Sequence, residues 1–325
     1  MIEILSNSPL NTVQDLGRYG VMNIGVGRSG AMDPVAARIG NWLVGNVDGA
    51  ALIEVVQFPF RVAFEHPTRF SLTGASCSAD LDGRKVPSWW TASAAAGQVL
   101  TVRQPSTGTR AYFAVGGGID VPEIMGSRAT DLKGGFGGVR GQGIARGTKL
   151  STGSTNNRSN VHERAFGVAP REVRALHQAL ASGCVKLSVL ASSEYDAFTA
   201  EALSIFVTHR WLITPESNRI GYRFAGESLA LKKPLELRSH GIVPGVVQVP
   251  PSGQPMIQLA EANTCGGYPK IATVIESDLW KLGQCRPGIH VQFEFVDFDV
   301  ALDIVKTHAS TLATLKTHID SHLQR

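Results

Sequence analysis

Glycine and proline punctuate this chain so densely that its apolar residues arrive in short bursts. In VPPSGQPMIQLAEANTCGGYPK, Val249 to Lys270, the turn-formers Pro250-Pro251-Ser252-Gly253 and Gly266-Gly267-Tyr268-Pro269 bracket a single apolar run, Met256 to Ala260. Glycine permits positive φ and proline fixes its own φ, so corners of this kind end regular elements. The pattern recurs throughout 325 residues, with Gly 35 and Pro 16 set against Phe 13, Tyr 5 and Trp 5. Chains divided this finely build strands and turns more readily than long helices, so a β-rich fold is expected. Such corners are also places where main-chain N–H groups meet a ligand.

Apolar runs and alternations predict strands in Ala51–Glu65, Thr68–Ser76, Thr109–Gly117, Cys184–Leu190, Val246–Pro250 and Ile289–Val296. Helical spacing predicts a helix opening at Asp33-Pro34, with Val35, Ile39, Trp42 and Leu43 on one face and Gly45 ending it. A second helix is expected over Arg171–Ser182, stopped by Gly183, and a third in the tail from Asp299 to about Leu315. Ser151–Asn160, STGSTNNRSN, is polar and is the linker candidate. It separates an N-terminal lobe, 1–155, from a C-terminal lobe with a helical tail, 156–325.

Composition narrows the function classes. Lys+Arg 31 against Asp+Glu 27 gives a net charge of +4 without any basic block, which argues against nucleic-acid binding. Nothing resembles a secretory signal or a membrane span, and Cys77, Cys184, Cys265 and Cys285 lack zinc or dithiol spacing, so a cytoplasmic protein with reduced thiols is expected. GVGRSG, Gly25 to Gly30, matches a dinucleotide motif by letter, but its helix signal follows the motif instead of opening within it, which makes it a Gly-rich loop. Phosphate-loop, nucleophile-elbow and zinc-protease motifs are absent, and no metal site is proposed.

What remains is a set of motifs in order: TVQDLGR (Thr12–Arg18), SGAMDP (Ser29–Pro34) with NWLVGN (Asn41–Asn46), GGGIDVPEIMGSRATD (Gly116–Asp131), SNRIGYR (Ser217–Arg223), QVPPSGQP (Gln248–Pro255) and GGYPKIATVIESDL (Gly266–Leu279). Together they resemble the carboxyltransferase-domain family that includes allophanate hydrolase subunit 2, the C subunit of 5-oxoprolinase and the antagonist of a sporulation-kinase inhibitor. The resemblance implies a mainly β fold of two cyclophilin-like β-barrel lobes with a few peripheral helices. Glu261, Asn263 and Cys265 stand where that family usually has Asp, Gln and Thr, and Thr148 follows Gly147 where Asp is commoner, so substrate can differ among members.

For activity, the resemblance implies one subunit of an ATP-dependent 5-oxoprolinase, opening 5-oxoproline to glutamate with the A and B subunits of that enzyme. The B partner is akin to allophanate hydrolase subunit 1 or the kinase inhibitor. One alternative is a carboxyltransferase half that takes a carboxyl group from biotin on a separate carrier to urea or another amide. Another is a non-catalytic antagonist that binds the kinase-inhibitor-like partner. No cofactor is expected on this chain alone; ATP would be used by the complex.

Both chemistries develop negative charge on oxygen and need donors aimed at it beforehand. Arg128, Lys270 and Glu261 are the expected catalytic groups. Arg128 can grip a carboxylate through two parallel bonds, or pair with Asp131 or Asp120 and brace a loop. Lys270 can anchor a substrate carboxylate or stay solvated. The corner amides of Gly266, Gly267 and Tyr268 can face an oxyanion or simply make a turn. Gln248, Ser252 and Gln254 line a pocket or satisfy backbone, and Arg219 binds an anion or ties down Ser217 and Asn218. Ser127, Ser29 and Gly30 complete the expected substrate-binding set. Asp33 reads as a helix cap before a catalytic acid, Asp15 and Arg18 as a local ion pair, and His240 as the histidine within a motif that could act as a base. The expected site lies in a crevice between the lobes, walled by the two corners around Met256–Ala260, with Arg128 facing them.

Overall fold

A computed structural model describes residues 1–154 and 165–323. The chain divides into two compact units, Met1–Tyr19 with Ser29–Arg174 and Ala313–Arg325, and Gly20–Arg28 with Ala175–Leu312. The fold is mainly β, as the glycine and proline pattern requires.

In the first unit a seven-stranded sheet runs in the order Ile119–Asp120, Lys149–Thr152, Ile2–Ile4, Phe60–Phe64, Val99–Val102, Ala79–Leu81, Arg84–Val86. A five-stranded sheet runs Thr12–Gln14, Leu52–Val55, Thr107–Val115, Thr68–Ser76, Trp90–Ala94. The run Ala51–Glu65, expected as one strand, is two, because Gln57-Phe58-Pro59 interrupts it; the halves then belong to different sheets. Inward residues of both sheets meet in one core, where Phe113 lies 5.7, 6.2 and 5.9 Å from the rings of Phe60, Phe64 and Phe70.

The helix Pro34–Leu43 forms as its sequence dictates: Asp33 Oδ1 accepts from the Ala36 N–H at 2.9 Å, and Gly45 follows the helix at φ +81°. Its carbonyls at Ala36 and Gly40 accept from the hydroxyls of Thr73 (2.7 Å) and Ser71 (2.6 Å), bonding the helix to the five-stranded sheet. A side chain at Gly40 would bring Cβ within 2.9 Å of the Thr73 hydroxyl, so only glycine allows this approach.

The second unit holds a closed barrel: Cys184–Ala191, Lys270–Val274, Val246–Gln248, Met256–Gln258, Gly221–Ala225, Trp211–Ile213 and His290–Phe295. The last strand closes on the first in parallel, the others pairing antiparallel. Phe206, from the helix Ala200–Thr208, stacks on Phe293 with ring centroids 4.4 Å apart. That helix and Glu276–Leu282 were not expected, and the tail helix continues to Leu323. Of the expected linker, Ser151 and Thr152 belong to a strand, while 155–160 lie outside the described residues. Among the described residues, no helix is long and apolar enough to cross a membrane.

Phe113 is fully buried amid three other rings, so Phe113→Ala should lower the unfolding free energy of the first unit by about 3–5 kcal/mol in chemical denaturation. A loss below about 1 kcal/mol would mean that this cluster does not organise the core.

Candidate functional site

Strand pairing decides which side chains share a face. On the barrel, Gln248 pairs with both Met256 and Lys270 across its two neighbouring strands, and Gln258 lies two residues beyond Met256. Gln258 and Gln248 therefore share a face, opposite in parity to Tyr222, Ile257 and Val247, and a register shift between Val247 and Gln248 brings Lys270 opposite Gln248 to complete the row. All three polar residues are buried.

Polar groups removed from water need partners, and the row supplies them. Lys270 Nζ lies 2.9 Å from Glu194 Oε2, whose oxygen also accepts from the Lys270 main-chain N–H at 3.0 Å. The same ammonium donates to His240 Nε2. His240 Nδ1 is 2.9 Å from the Arg238 carbonyl, an acceptor only, so Nδ1 carries the hydrogen and Nε2 offers its lone pair to Lys270. Burial pulls the Glu194 carboxyl upward, yet the side-chain and main-chain donors of Lys270 outweigh it and hold the group below its ordinary value.

His240 reaches Lys270 on a two-stranded ribbon, in which His240 pairs with Gly266 and Gly241 with Cys265. Gly266, within that ribbon, leaves room for its neighbour: a Cβ on it would lie 2.9 Å from Gln248 Nε2. Two of the expected binding residues, Gln248 and Gly266, are thus brought together beside Lys270.

The two corners also come together. Pro250, Pro251 and Gly253 from one, and Gly267, Tyr268 and Pro269 from the other, line a single cavity of about 690 Å³. The rest of its wall is Val249 with Ser228–Leu231 and Pro234–Leu237, four of them leucines. Gln254 bonds the main chain of Gly226 in both directions, at 2.8 and 3.1 Å, and Ser252 faces the Gln254 N–H at 3.5 Å; both brace backbone. Glu261 is buried and bonded to Arg219 Nε at 2.7 Å, while its N–H donates to the Arg219 carbonyl, tying two turns together.

The first unit carries a constellation of its own. Asp15 Oδ1 accepts from the Ser127 hydroxyl and the Gly17 N–H, each at 2.7 Å, and Oδ2 accepts from the Arg128 N–H at 2.6 Å. Arg18, buried, donates to the carbonyls of Ile124 (3.2 Å) and Ala129, with its guanidinium 4.6 Å above the Phe136 ring. Aspartate and arginine thus serve main-chain groups on either side of Arg128. The Arg128 guanidinium bonds the Val121 carbonyl at 2.9 Å and sits 3.5 Å from Glu123, its side chain 39% exposed; the carboxylate it meets is Glu123, not Asp120 or Asp131. Ser29 is buried at φ +52°, its hydroxyl without a hydrogen-bond partner among the described residues. Beside it Gly30, at φ +88°, packs so tightly on Gly17 that a Cβ would come within 2.7 Å of the Gly17 nitrogen.

Several groups escaped the sequence. Glu194 joins Lys270 from 76 residues away, and nothing local marks it. Glu54 accepts from the Met32 N–H (2.9 Å) and the Tyr112 hydroxyl (2.8 Å), with Arg110 3.5 Å away, and so positions the start of SGAMDP's helix. Burial, then the Glu54 carboxylate, pushes the Tyr112 phenol well above its usual range. The signal for Glu54 was present: a lone carboxylate inside the apolar run ALIEVV.

A model of the carboxyltransferase domain, subdomains A and B, matches residues 24–295. The chain is 37% identical over 320 residues to the C subunit of 5-oxoprolinase from Haemophilus influenzae, covering 98% of this chain and 99% of that one. It is 39% identical over 302 residues to the C subunit of 5-oxoprolinase from Escherichia coli, covering 93% of each. Among solved structures, K. lactis urea amidolyase superposes with a TM-score of 0.86 at 27% identity, over 96% of this chain and 20% of that enzyme.

The sign of the Glu194 shift fixes a pH dependence. A carboxyl held below its ordinary value stabilises the fold above the ordinary carboxylate range, and that stabilisation is lost as pH falls through the depressed value. At neutral pH, Glu194→Gln should cost about 3–5 kcal/mol, because it strands a buried ammonium. The gap from wild type should narrow when denaturation is repeated at about pH 3. A gap independent of pH would exclude the ion pair as its source.

Proposed function

Since this chain belongs to the carboxyltransferase-domain family, subdomains A and B, we propose that it is the C subunit of an ATP-dependent 5-oxoprolinase, which opens 5-oxoproline to glutamate together with partner subunits. The supporting observation is end-to-end similarity to two chains of that name, covering nearly all of both sequences. ATP enters with the partners.

Lys270 is the proposed anchor in the second unit. An ammonium has three N–H donors; Glu194 and His240 take two, and the third is available to a carboxylate or to the oxygen on which charge develops. Glu194 fixes the ammonium in place, so little reorganisation accompanies binding. His240 Nε2, already facing Lys270, is positioned to accept a proton. Glu261 is bonded to Arg219, so its proposed contribution is to shape the turn after Met256–Gln258. Arg128 is proposed, on its own chemistry, as an anion-binding group of the first unit.

The superposition on urea amidolyase supports a second reading, a biotin-dependent carboxyltransferase, but the chain spans only a fifth of that enzyme. The two separate experimentally. Reconstituted with its partner subunits, the chain should support ATP-dependent glutamate formation that is insensitive to avidin. Avidin-sensitive carboxylation of an amide, without glutamate formation, would favour the second.

Within that assay, Lys270→Met and Arg128→Ala should each lower turnover about a hundredfold or more with melting temperature little changed for Arg128→Ala. Near-normal turnover in either variant would remove that residue from the catalytic set.

A further inference from the structure

The hydrogen bonds along the glutamine row have a direction. Tyr268 presents a main-chain carbonyl, which can only accept, and the Gln248 side chain faces it at 3.5 Å through Nε2. Gln248 Oε1 is then turned to Gln258 and accepts from its Nε2 at 2.9 Å. With the Gln258 amide nitrogen so engaged, its oxygen lies at the far end of the chain. Gln258 is 1% exposed, and Oε1 has no hydrogen-bond partner among the described residues. Across the strand pair Gln258 faces Gly221, which offers no side chain to meet that oxygen. The Gly-Gly-Tyr corner thus sets the polarity of a relay that ends in a buried, unused acceptor, at a cost that a ligand donor would relieve.

We propose that Gln258 Oε1 receives a substrate N–H, so that the site selects amides, lactams or ureides that retain this hydrogen. The inference rests on the glutamine–lysine row being a substrate site. It adds a specificity-determining residue complementary to Lys270: the lysine meets oxygen, the glutamine meets nitrogen. An oxygen or N-alkyl group at that position would leave the acceptor buried and unpaired, which is the condition under which hydrogen-bonding sites discriminate most strongly.

The test uses the complex with its partner subunits, titrated calorimetrically with 5-oxoproline, N-methyl-5-oxoproline and urea. Wild type should bind 5-oxoproline at least about tenfold more tightly than the N-methyl analogue. Gln258→Met, which keeps the volume and removes the acceptor, should weaken 5-oxoproline by about five- to tenfold and abolish the preference. If that variant fails to fold, Gln258→Asn, which withdraws the acceptor by one methylene, should show the same lost preference. An undiminished preference in a folded variant overturns the inference, since steric exclusion would then explain it. Equal binding of both lactams by wild type also overturns it. Binding of urea but not 5-oxoproline, lost in Gln258→Met, assigns the N–H to a ureide and supports the inference while rejecting the lactam substrate. Binding of none of the three by wild type rejects the substrate site itself.

Discussion

A buried ammonium must be answered, and the way Lys270 is answered organises the second unit. Removing such a charge from water is costly unless a counter-charge and hydrogen bonds replace the solvent. Glu194 supplies the counter-charge and His240 a neutral acceptor, so two different segments are drawn to one point on the barrel. The net stability from the pair is small by this logic. Its value is positional, because neither partner can leave without stranding the other.

Glycine permits close approaches at two of these points, against backbone at Gly30 and against a side-chain amide at Gly266. Gly266 lets the ribbon lie against Gln248, and Gly30 lets its loop lie on Gly17. Both glycines come from the motifs that define the family resemblance, and their immediate physical role is close approach. The corner around Gly267 adds something subtler. Its Tyr268 carbonyl orients the Gln248 amide, and the orientation passes to Gln258. A main-chain group thereby decides which face a side chain two strands away presents.

Features encoded by neighbouring residues were legible in the sequence. The Asp33-Pro34 helix start is local capping chemistry, and the structure forms it through the bond to Ala36. Strand interiors such as Thr68–Ser76 were visible as apolar runs. The helix Ala200–Thr208 was not, because AEALSIFVT is apolar on most sides and rich in residues that also favour strands. The tail helix passes the expected end because LATLKTHIDSHL contains neither glycine nor proline to stop it. The corner residues were legible as turns, and Gln248 and Lys270 as polar residues near them. Glu194 and Gln258 were not, since their significance lies in register and in contacts across the barrel.

Volume alone would have placed a small anionic lactam in the cavity between the two corners. That cavity is walled largely by leucines and prolines, and at about 690 Å³ it is far roomier than a single five-membered ring needs. A carboxylate there would meet mostly apolar side chains and no lysine or arginine among the lining residues. The strands that run out of the same corners carry Gln248 and Lys270, and the next strand carries Gln258, whose amide oxygen has no hydrogen-bond partner among the described residues. On the proposed reading, a small polar molecule would find its complement in the row on the barrel, and the large cavity takes its chemistry from the mostly apolar residues that line it.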